Sequence, residues 1–496
     1  MPEHQSPPNR TQSNSIIHSG PAHESTNELN SAGHPRSSWL LDESERTDNS
    51  LATRFIDDCG NDLRYVPRWR KWLIWDGRRW IIDDGATIAL QYARGFADSL
   101  WILFNDFVKK GNQPAEQCKA VMSFVRTANK QHGIKSFLEL AKADQRVIVD
   151  HGSLNADVSL INLQNGIFEM ATGQFRLHRR EDLITQLADV CYGETAKCPK
   201  WNAAIDLIFD GDKELIRYVQ QVLGYSLVGE TGEHFLPIAY GSGCNGKSFV
   251  WNTIIGLVGD YGLVANDSLL LGDKNSHPTE KASLYQKRIV AVSEPEQGSR
   301  MRESRVKELT GDDYVMARRC REDFWMFRRT HTFWLATNHL PRVSGTDEGI
   351  WRRLKIIPFA VDLRQRVKPK PDYHAEIIAN EGPGVLNWLF VGYRDYRENG
   401  FVEPQAVKRL TQQYREDQDH LAQFISECCV KVDGAETRSR LLFDAYKDWG
   451  GKWSTTAFGK AMAERYHKGK AKSGPHRDKV VYHGIGLLDD RPMDEF

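Results

Sequence analysis

Residues 241–248 of this chain are Gly-Ser-Gly-Cys-Asn-Gly-Lys-Ser, and these residue types at this spacing are typical of a phosphate-binding loop. Glycines let backbone N–H groups approach a triphosphate closely, while Lys247 can reach the β- and γ-phosphates and the Ser248 hydroxyl can ligate Mg²⁺. The apolar segment 235–240 predicts a buried strand before the loop, and the apolar spacing after Ser248 predicts a helix. The alternative is a glycine turn with an incidental lysine. We predict that a nucleotide binds at Gly241, Gly243, Asn245, Gly246, Lys247 and Ser248.

A carboxylate at the end of a second strand would complete a site for nucleotide hydrolysis. Residues 288–292 predict a buried strand, and Glu294 would emerge at its carboxyl end, where open α/β sheets bind ligands. There it would hold Mg²⁺ and polarise the attacking water. Glu296 follows closely, and its role stays open. The alternative is a solvated acidic turn after a strand.

Two more features could act on the same phosphate. The strand predicted over 332–336 leads to Asn338, whose amide could orient water against the γ-phosphate; the alternative is an Asn that caps a turn. Further on, Arg352 and Arg353 follow Trp351. An arginine here could stabilise transition-state charge, from the same subunit or a neighbouring one. Taken alone, two solvated arginines at a helix end is the simpler interpretation.

Basic and aromatic residues alternate between these strands. From residue 300 to 329 there are nine Lys/Arg against six Asp/Glu, and Phe324, Trp325 and Phe327 lie among them. This mixture suits single-stranded nucleic acid, through phosphate neutralisation and base stacking; a charged face over a core stripe is the alternative. The candidate DNA-binding residues are Lys307, Arg318, Arg319 and Arg321. A second basic patch at 468–479 would contact duplex backbone or simply be a solvated loop.

Length and composition set bounds on the whole chain. It has 496 residues, 40% hydrophobic, and 66 Lys+Arg balance 66 Asp+Glu, so any basic surface must be local. The eight cysteines form no paired CxxC pattern, which favours free thiols in a reducing compartment. No run of 18 apolar residues and no secretory h-region is present. We expect a soluble, cytoplasmic protein, within a bacterial host cell.

Changes in composition along the chain predict its domains. Residues 1–45 are rich in Ser, Asn, Pro and His, which predicts a disordered tail. Residues 46–195 predict one α+β domain, with hairpins at Asp76-Gly77 and Asn165-Gly166. Strands and helices alternate over 200–375, which predicts an α/β core with a parallel sheet. The region 376–425 predicts a helical connector with a Gly-Pro-Gly break at 382–384, and 426–496 predicts two helices and a strand pair, as in a winged helix.

These motifs, in this order, resemble superfamily 3 helicases, and more closely the phage/plasmid primase–helicase family with its poxvirus-type relatives. The match rests on the phosphate loop, Ser-Glu-Pro-Glu at 293–296, Lys-Glu-Leu-Thr-Gly-Asp-Asp at 307–313, Ala-Arg-Arg at 317–319, Trp-Leu-Ala-Thr-Asn-His-Leu-Pro-Arg at 334–342, Gly-Thr-Asp-Glu-Gly-Ile-Trp-Arg-Arg at 345–353, Ile-Pro-Phe at 357–359 and Glu-Gly-Pro-Gly-Val-Leu-Asn-Trp at 381–388. Residues 76–80 and the region around Asn165 resemble the family's helicase-associated N-terminal domain.

The resemblance implies an AAA+-like P-loop ATPase that forms a hexameric ring and unwinds DNA, with ATP and Mg²⁺ bound between subunits. Lys247, Glu294 and Asn338 would match the catalytic positions, with Ser248 and Glu294 on the metal. Arg353 or Arg352 would be the arginine finger, with Arg353 preferred. Residues 307–321 would match the region that leads into the pore hairpin. Asp312 departs from the family pattern, which usually has a second Gly there.

A second departure concerns priming. Relatives often carry a primase–polymerase domain, whose chemistry needs clustered carboxylates around two metals. Residues 46–195 show no obvious carboxylate pair with a partner His, so we expect no primase activity in this chain and a separate primase or polymerase as partner. The alternative function is an ATP-dependent initiator or regulator that binds DNA without processive unwinding. A small-molecule kinase would leave the outer domains unexplained.

Overall fold

The computed structural model describes residues 38–109, 114–271, 278–292, 297–318, 323–343, 348–368, 370–471 and 477–488. Contacts divide the chain into two compact units. The first runs to Asp157 and also takes in Leu177–Gln186, and the second comprises Val158–Arg176 and the chain from Leu187 onward. In the described ranges, no helix is both long enough and apolar enough to cross a lipid bilayer.

The first unit packs four helices on one face of a three-stranded antiparallel sheet with strand order β1-β2-β3. Leu40 is fully buried in this core, so order begins before residue 45, where the tail was predicted to end. Trp39 explains this early start, since the Arg54 guanidinium lies 4.2 Å from the centre of its ring. The elements are α1 (Asp48–Cys59), β1 (Leu63–Val66), β2 (Lys71–Trp75), β3 (Trp80–Asp83), α2 (Thr87–Lys109), α3 (Ala115–Ala128) and α4 (Gln131–Ala141).

The predicted hairpin at Asp76-Gly77 is present, with a longer turn than the two residues expected. Trp75 pairs with Trp80, so four residues form the turn. The Asp76 carboxylate accepts the backbone N–H groups of Arg78 and Arg79, both at 2.8 Å. An Asp side chain that bonds the backbone two and three residues ahead stabilises a wider turn.

A five-stranded parallel sheet is the centre of the second unit, and it confirms the predicted α/β class of the core. Its strand order is β13-β7-β12-β9-β8, and every neighbouring pair is parallel. The elements up to this sheet's last strand are β4 (Leu160–Leu163), β5 (Gly166–Glu169), β6 (Gln174–Arg176), α5 (Pro199–Ile208), α6 (Lys213–Val228), β7 (Leu236–Tyr240), α7 (Lys247–Val258), β8 (Gly262–Ala265), α8 (Pro278–Ala282), β9 (Ile289–Val292), α9 (Glu303–Gly311), β10 (Tyr314–Ala317), β11 (Trp325–Arg328), β12 (Thr332–Thr337), α10 (Glu348–Trp351) and β13 (Leu354–Pro358).

The small antiparallel sheet β4-β5-β6 belongs to the second unit, although the sequence placed it in a domain ending at residue 195. Its buried face joins the core of the second unit: the ring of Phe168 stacks on Phe390 with centroids 4.1 Å apart. Arg288, at the entrance of β9, donates to the Leu160 carbonyl at 2.9 Å and to the Leu227 carbonyl at 3.2 Å. Local hairpin signals predict a strand but not the core on which it packs.

Arg288 allows a stability prediction. Its guanidinium is buried and lies 4.4 Å from the ring centre of Tyr261. Arg288→Ala is expected to lower the free energy of unfolding by about 2–4 kcal/mol, because two buried carbonyls lose their donor and the ring loses its cation. Urea unfolding would measure the change, with Arg394→Ala at an exposed position as the control. Equal losses in both variants would contradict this role.

The predicted Gly-Pro-Gly break is wrong, because α11 (Tyr373–Asn399) is one continuous helix with Pro383 inside it. Proline normally breaks a helix by removing a donor and by clashing with the preceding turn. In this helix, packing against another segment accompanies the proline. A Cβ on Gly384 would lie 2.4 Å from the Lys197 backbone, so only glycine at this position allows the two backbones to lie so close. Glu381 of the same helix accepts the first N–H groups of α5, from Lys200 at 3.1 Å and Trp201 at 3.0 Å.

The remaining elements form one further helix and a small terminal subdomain with its own core. In the subdomain a helix, a strand, two helices and two strands follow one another, and the strands form an antiparallel sheet of order β14-β16-β15. The bounds are α12 (Gln405–Gln418), α13 (His420–Cys428), β14 (Cys429–Arg438), α14 (Ser439–Asp448), α15 (Thr455–Arg465), β15 (Lys468–Lys470) and β16 (Val480–Leu487).

Candidate functional site

The phosphate-loop residues lie at the carboxyl edge of the parallel sheet, between β7 and α7. Gly243 and Gly246 have φ angles of 98° and 88°, which glycine adopts without strain. Gly241 is needed for a different reason, because a Cβ there would lie 2.1 Å from the Phe359 carbonyl oxygen. The sequence therefore builds a tight loop that brings its backbone close to whatever binds there.

Lys247 is buried at this edge, with only 4% of its surface exposed. Its ammonium donates to the Gly241 carbonyl at 2.6 Å and to Asn338 Oδ1 at 2.8 Å, with Asn245 Oδ1 at 3.3 Å. Asn338 comes from the loop after β12, which is the neighbour of β7 and pairs Thr337 with Tyr240. The structure thus brings together two side chains that are 91 residues apart in the chain.

The other loop residues have distinct surroundings. The Asn245 side chain is buried and its Nδ2 donates to the Phe359 carbonyl at 2.9 Å, so this side chain holds the loop against the segment after β13. Ser248 is exposed in the first turn of α7. Its hydroxyl is therefore accessible to a ligand at the helix N-terminus, where backbone N–H groups favour anions.

A cavity of about 540 Å³ lies beside the loop, and no pattern in the sequence predicts it. The Ile208 side chain lies 2.6 Å from the position of a Cβ on Gly246, and the Leu363 N–H donates to the Cys244 carbonyl at 2.9 Å. Both contacts connect the cavity wall to the loop. Its lining is apolar with an acidic part, and includes Ile208, Phe209, Leu215, Val361, Asp210, Asp212 and Asp362.

Several predicted residues lie outside the described part of the chain. β9 ends at Val292, which pairs with Leu335 of β12, so the strand that leads to Glu294 is next to the strand that leads to Asn338. Glu294 itself, Glu296, Arg319 and Arg321 fall outside the described residues. Within those residues, no group of three or more His, Cys, Asp or Glu side chains could hold a metal ion.

The candidate arginine fingers lie at the opposite edge of the sheet, immediately before β13. Arg352 is exposed, whereas Arg353 is only 7% exposed. The Arg353 guanidinium donates to the Gly349 carbonyl and would meet a Cβ on Gly311 at 2.6 Å. β13 runs parallel to β7, so about 16 Å of strand separates these arginines from their own phosphate loop.

The charge at this edge is strongly positive. Partial burial, and then the fields of Arg329, Arg353 and Arg352, lower the pKa of His234. Arg329 is buried and donates to the Thr231 carbonyl at 2.7 Å and the Asp312 carbonyl at 3.0 Å. Arg329, Arg353 and the exposed Arg352 are therefore all close enough to His234 to affect its protonation.

Of the candidate DNA-binding residues, Lys307 and Arg318 lie in the described part of the chain, before the antiparallel ribbon β10–β11 and directly after its first strand. Its buried side packs on the core, and its other side exposes Tyr314, Met316 and Met326 by 54–62%. At its far end the exposed Arg318 guanidinium lies 5.5 Å from the ring centre of Phe324. Lys307 is half-buried on α9, the helix that precedes the ribbon.

Two family models match the chain. One, described as D5 N terminal like, matches residues 52–210, and one described as a family of unknown function (DUF5906) matches residues 239–353. The second match begins in β7 and ends at Arg353, so it contains the loop, Asn338 and both candidate fingers.

Curated relatives are viral proteins. The chain is 24% identical over 432 residues to "Putative helicase L207/L206" of Acanthamoeba polyphaga mimivirus, covering 80% of this chain and 44% of that protein. It is 25% identical over 386 residues to "Putative primase C962R" of African swine fever virus, covering 72% and 37%. It is 21% identical over 264 residues to "Putative helicase 022R" of Frog virus 3, covering 48% and 26%. The chain therefore spans less than half the length of each of these relatives, and they give no support for the expected bacterial host.

Among solved structures, the chain is similar to the apo C-terminal region of NrS-1, with a TM-score of 0.46 and 12% identity over 88% of this chain and 99% of that one. The matched N-terminal model and the viral helicase and primase relatives agree with the resemblance seen in the motifs. Together, the matched N-terminal model and these viral relatives support a phage or viral primase–helicase family for this chain.

Proposed function

We propose that this chain is the motor of a DNA helicase, which hydrolyses ATP with Mg²⁺ at the edge of its parallel sheet and uses the energy to unwind DNA. The observation that carries the proposal is the contact of the Lys247 ammonium with Asn338 Oδ1, at 2.8 Å. A buried lysine that reaches across to a polar side chain of the next strand defines a point for one phosphate group.

Phosphate binding follows from the loop and the start of α7. Backbone N–H groups and the N-terminus of a twelve-residue helix favour an anion here. Lys247 would hold the β- and γ-phosphates, Ser248 and Glu294 would hold Mg²⁺, and the metal would neutralise charge on the phosphates. Asn338, adjacent to Lys247, would orient the attacking water. Gly241, Gly243, Asn245 and Gly246 would contribute backbone to this site.

The neighbouring cavity supports a nucleoside as the rest of the ligand. Its volume of about 540 Å³ is in the usual range for small-molecule sites. Ile208 and Val361 would cover the faces of a base, and the carboxylates of Asp212 and Asp362 would accept hydrogen bonds from its N–H donors. Hydrogen bonds from Arg364 lower the pKa of Asp362 to about 2, and this side chain, like an ordinary aspartate at neutral pH, is an acceptor.

The position of the arginines supports a ring. Arg352 lies at the edge of the sheet opposite to Lys247, so it would reach a phosphate only in another copy of the chain. Exposure favours Arg352 as the finger over Arg353, whose guanidinium is enclosed by Gly311 and Gly349. A ring, which we propose is a hexamer, would supply Arg352 to each neighbouring site.

DNA would bind at the β10–β11 ribbon and at the terminal subdomain. Arg318 and Phe324 offer a cation beside an exposed ring, which suits phosphate and base of a single strand. We propose a winged helix for this subdomain, which its order of helices and strands supports, and Lys468 and Lys470 are exposed on β15. These lysines would contact duplex backbone and carry no sequence information.

The second candidate is an initiator that binds ATP and DNA without unwinding. The terminal subdomain favours it, because such a subdomain can grip duplex on its own. The two functions differ in one property: only the helicase couples hydrolysis, stimulated by single strands, to strand displacement on forked DNA. The expectation that this chain lacks primase activity remains a prediction.

Cys244 gives a direct test of the nucleotide site. It is exposed within the loop, and Cys191 is the other cysteine classed as exposed in the described ranges. We expect MgATP to slow alkylation of Cys244 by N-ethylmaleimide at least about tenfold, because a bound phosphate covers the loop, while Cys191 reacts unchanged. Peptide mass spectrometry after timed labelling would measure both rates. Equal rates at Cys244 with and without saturating MgATP would contradict nucleotide binding in this loop.

A further inference from the structure

The first unit carries a local concentration of basic and aromatic residues that the motor does not use. Between Arg64 and Trp80 there are six Lys/Arg against one Asp, and four tryptophans lie among them. The rest of the chain balances its charges, with 66 of each sign overall. The stretch corresponds to β1, β2 and the start of β3 with their connecting turns.

The turns place basic side chains at both ends of β2. Arg68 and Arg70 lie in the turn between β1 and β2, where both are exposed. Arg78 and Arg79 lie in the turn between β2 and β3. Five residues of strand separate the two turns, a distance of about 16 Å. A flexible polyanion of a few units could contact both.

Aromatic rings lie between these two ends, on the sheet face opposite the helices. Val149 and Leu154 pack on Trp80 and Leu73 and bury the middle of this face, while Trp69 and Trp75 are half-buried at its margin. The Arg64 guanidinium lies 4.7 Å from the ring centre of Trp80, and that of Arg180 lies 5.7 Å from Trp75. Trp80 is fully buried, so the rings that unpaired bases could reach and stack on are those of the half-buried Trp69 and Trp75.

Carboxylates neutralise part of this surface, including Arg79 in the turn between β2 and β3, whose Nε lies 3.6 Å from the Asp76 carboxylate. Asp62 pairs with Arg180 at 2.7 Å, Asp84 pairs with Lys71, and Glu181 adds a negative charge near Arg64. By contrast, the described residues place no carboxylate within ion-pair distance of Arg68 or Arg70, so their charges are available to a ligand.

We propose that this face of the first unit, defined by Arg64, Arg68, Trp69, Arg70, Trp75 and Arg78, is a binding site for single-stranded nucleic acid, separate from the β10–β11 ribbon. Phosphates would pair with the turn arginines, and bases would stack on the marginal tryptophans. A duplex is disfavoured, because its bases are stacked on one another and cannot contact the rings. The site would hold a strand whether or not nucleotide is bound.

The test uses the full chain, a fluorescein-labelled dT20 oligonucleotide and anisotropy without nucleotide, over a range of salt. Arg68→Ala with Arg70→Ala is expected to weaken binding about 10- to 30-fold near 0.1 M salt and to make the log–log salt slope shallower by about 1.4, since each lost phosphate contact contributes about 0.7. Both side chains are exposed, so the melting temperature should not change. The matched control removes two exposed charges from α3 of the same unit, Lys119→Ala with Arg126→Ala.

A second variant separates stacking from charge. Trp75→Leu keeps apolar bulk but loses the ring, and about fivefold weaker binding or more is expected, whereas Trp75→Phe should bind like the parent. Repeating the arginine pair in a Lys247→Ala background should give the same loss, because this site does not need the motor. The inference is overturned if the affinity of the Arg68→Ala, Arg70→Ala double variant for dT20 is within twofold of the parent, or no lower than that of the α3 control. It is overturned equally if light scattering shows that the double variant has a different oligomeric state while its DNA affinity is unchanged. This face would then be a contact between copies of the chain.

Discussion

Lys247→Ala is expected to abolish ATP hydrolysis, with kcat lowered by at least about 100-fold, while the fold remains intact. The reason is positional: the ammonium is fixed by the Gly241 carbonyl and Asn338 Oδ1, so no solvent cation can take its place at the same point. Phosphate release, measured with and without single-stranded DNA, would give the effect. Loss of the donor costs about 1–3 kcal/mol of local stability, and circular dichroism would confirm folding.

The matched control is Lys408→Ala, which removes an exposed lysine from α12. It should hydrolyse ATP at the parental rate. If Lys247→Ala also did so, the nucleotide site would have to lie elsewhere and the role of Asn338 would fail with it. A folded variant that neither binds nor hydrolyses ATP agrees with the proposal.

Arg352→Ala is expected to lower hydrolysis about 10³-fold in the assembled protein while nucleotide binding is retained, because an arginine finger acts on transition-state charge. Arg352 is exposed at the sheet edge opposite to its own loop. ATP turnover and binding of a fluorescent ATP analogue, measured on the same preparation, separate the two effects. Equal loss of binding and turnover would contradict a finger.

Subunit mixing tests whether this arginine acts on a neighbour. Neither Arg352→Ala nor Glu294→Gln subunits should hydrolyse ATP alone, but a mixed ring contains interfaces with an intact Arg352 and an intact Glu294. Some activity should therefore return on mixing. No recovery, in rings shown to exchange subunits, would contradict action between protomers.

Arg353→Ala distinguishes the two neighbouring arginines. Its guanidinium is buried against Gly311 and bonded to Gly349, so its removal is expected to lower the free energy of unfolding by about 2 kcal/mol. The Arg352 variant should melt like the parent. If Arg353→Ala were fully stable and lost only hydrolysis, the preference for Arg353 drawn from the family resemblance would be restored.

The sequence predicts the part of the site that local patterns encode. The phosphate loop is contiguous, and its flanking strand and helix follow from apolar spacing, so β7 and α7 were expected. Asn338 was expected at the end of another strand. Its contact with Lys247 requires that β12 lies next to β7 in the sheet. The order of the strands along the chain does not predict this neighbour.

What the sequence did not predict depends on contacts between distant segments. The cavity joins residues near Ile208 to residues near Val361, and no local pattern marks either side. Pro383 continues a helix because Gly384 allows the Lys197 backbone to approach. Likewise, Arg352 and Arg353 are the same residue type, and contacts with Gly311 and Gly349 bury Arg353 while Arg352 is exposed.

The most direct measurement of the central claim is strand displacement on a labelled forked duplex with MgATP, with light scattering on the same sample. We expect a multimer that separates the strands and hydrolyses ATP faster when single-stranded DNA is present. The Lys247→Ala variant should show neither activity. A protein that remains a single protomer with ATP and DNA present, and leaves the fork paired while it hydrolyses ATP at an unchanged rate, would contradict it.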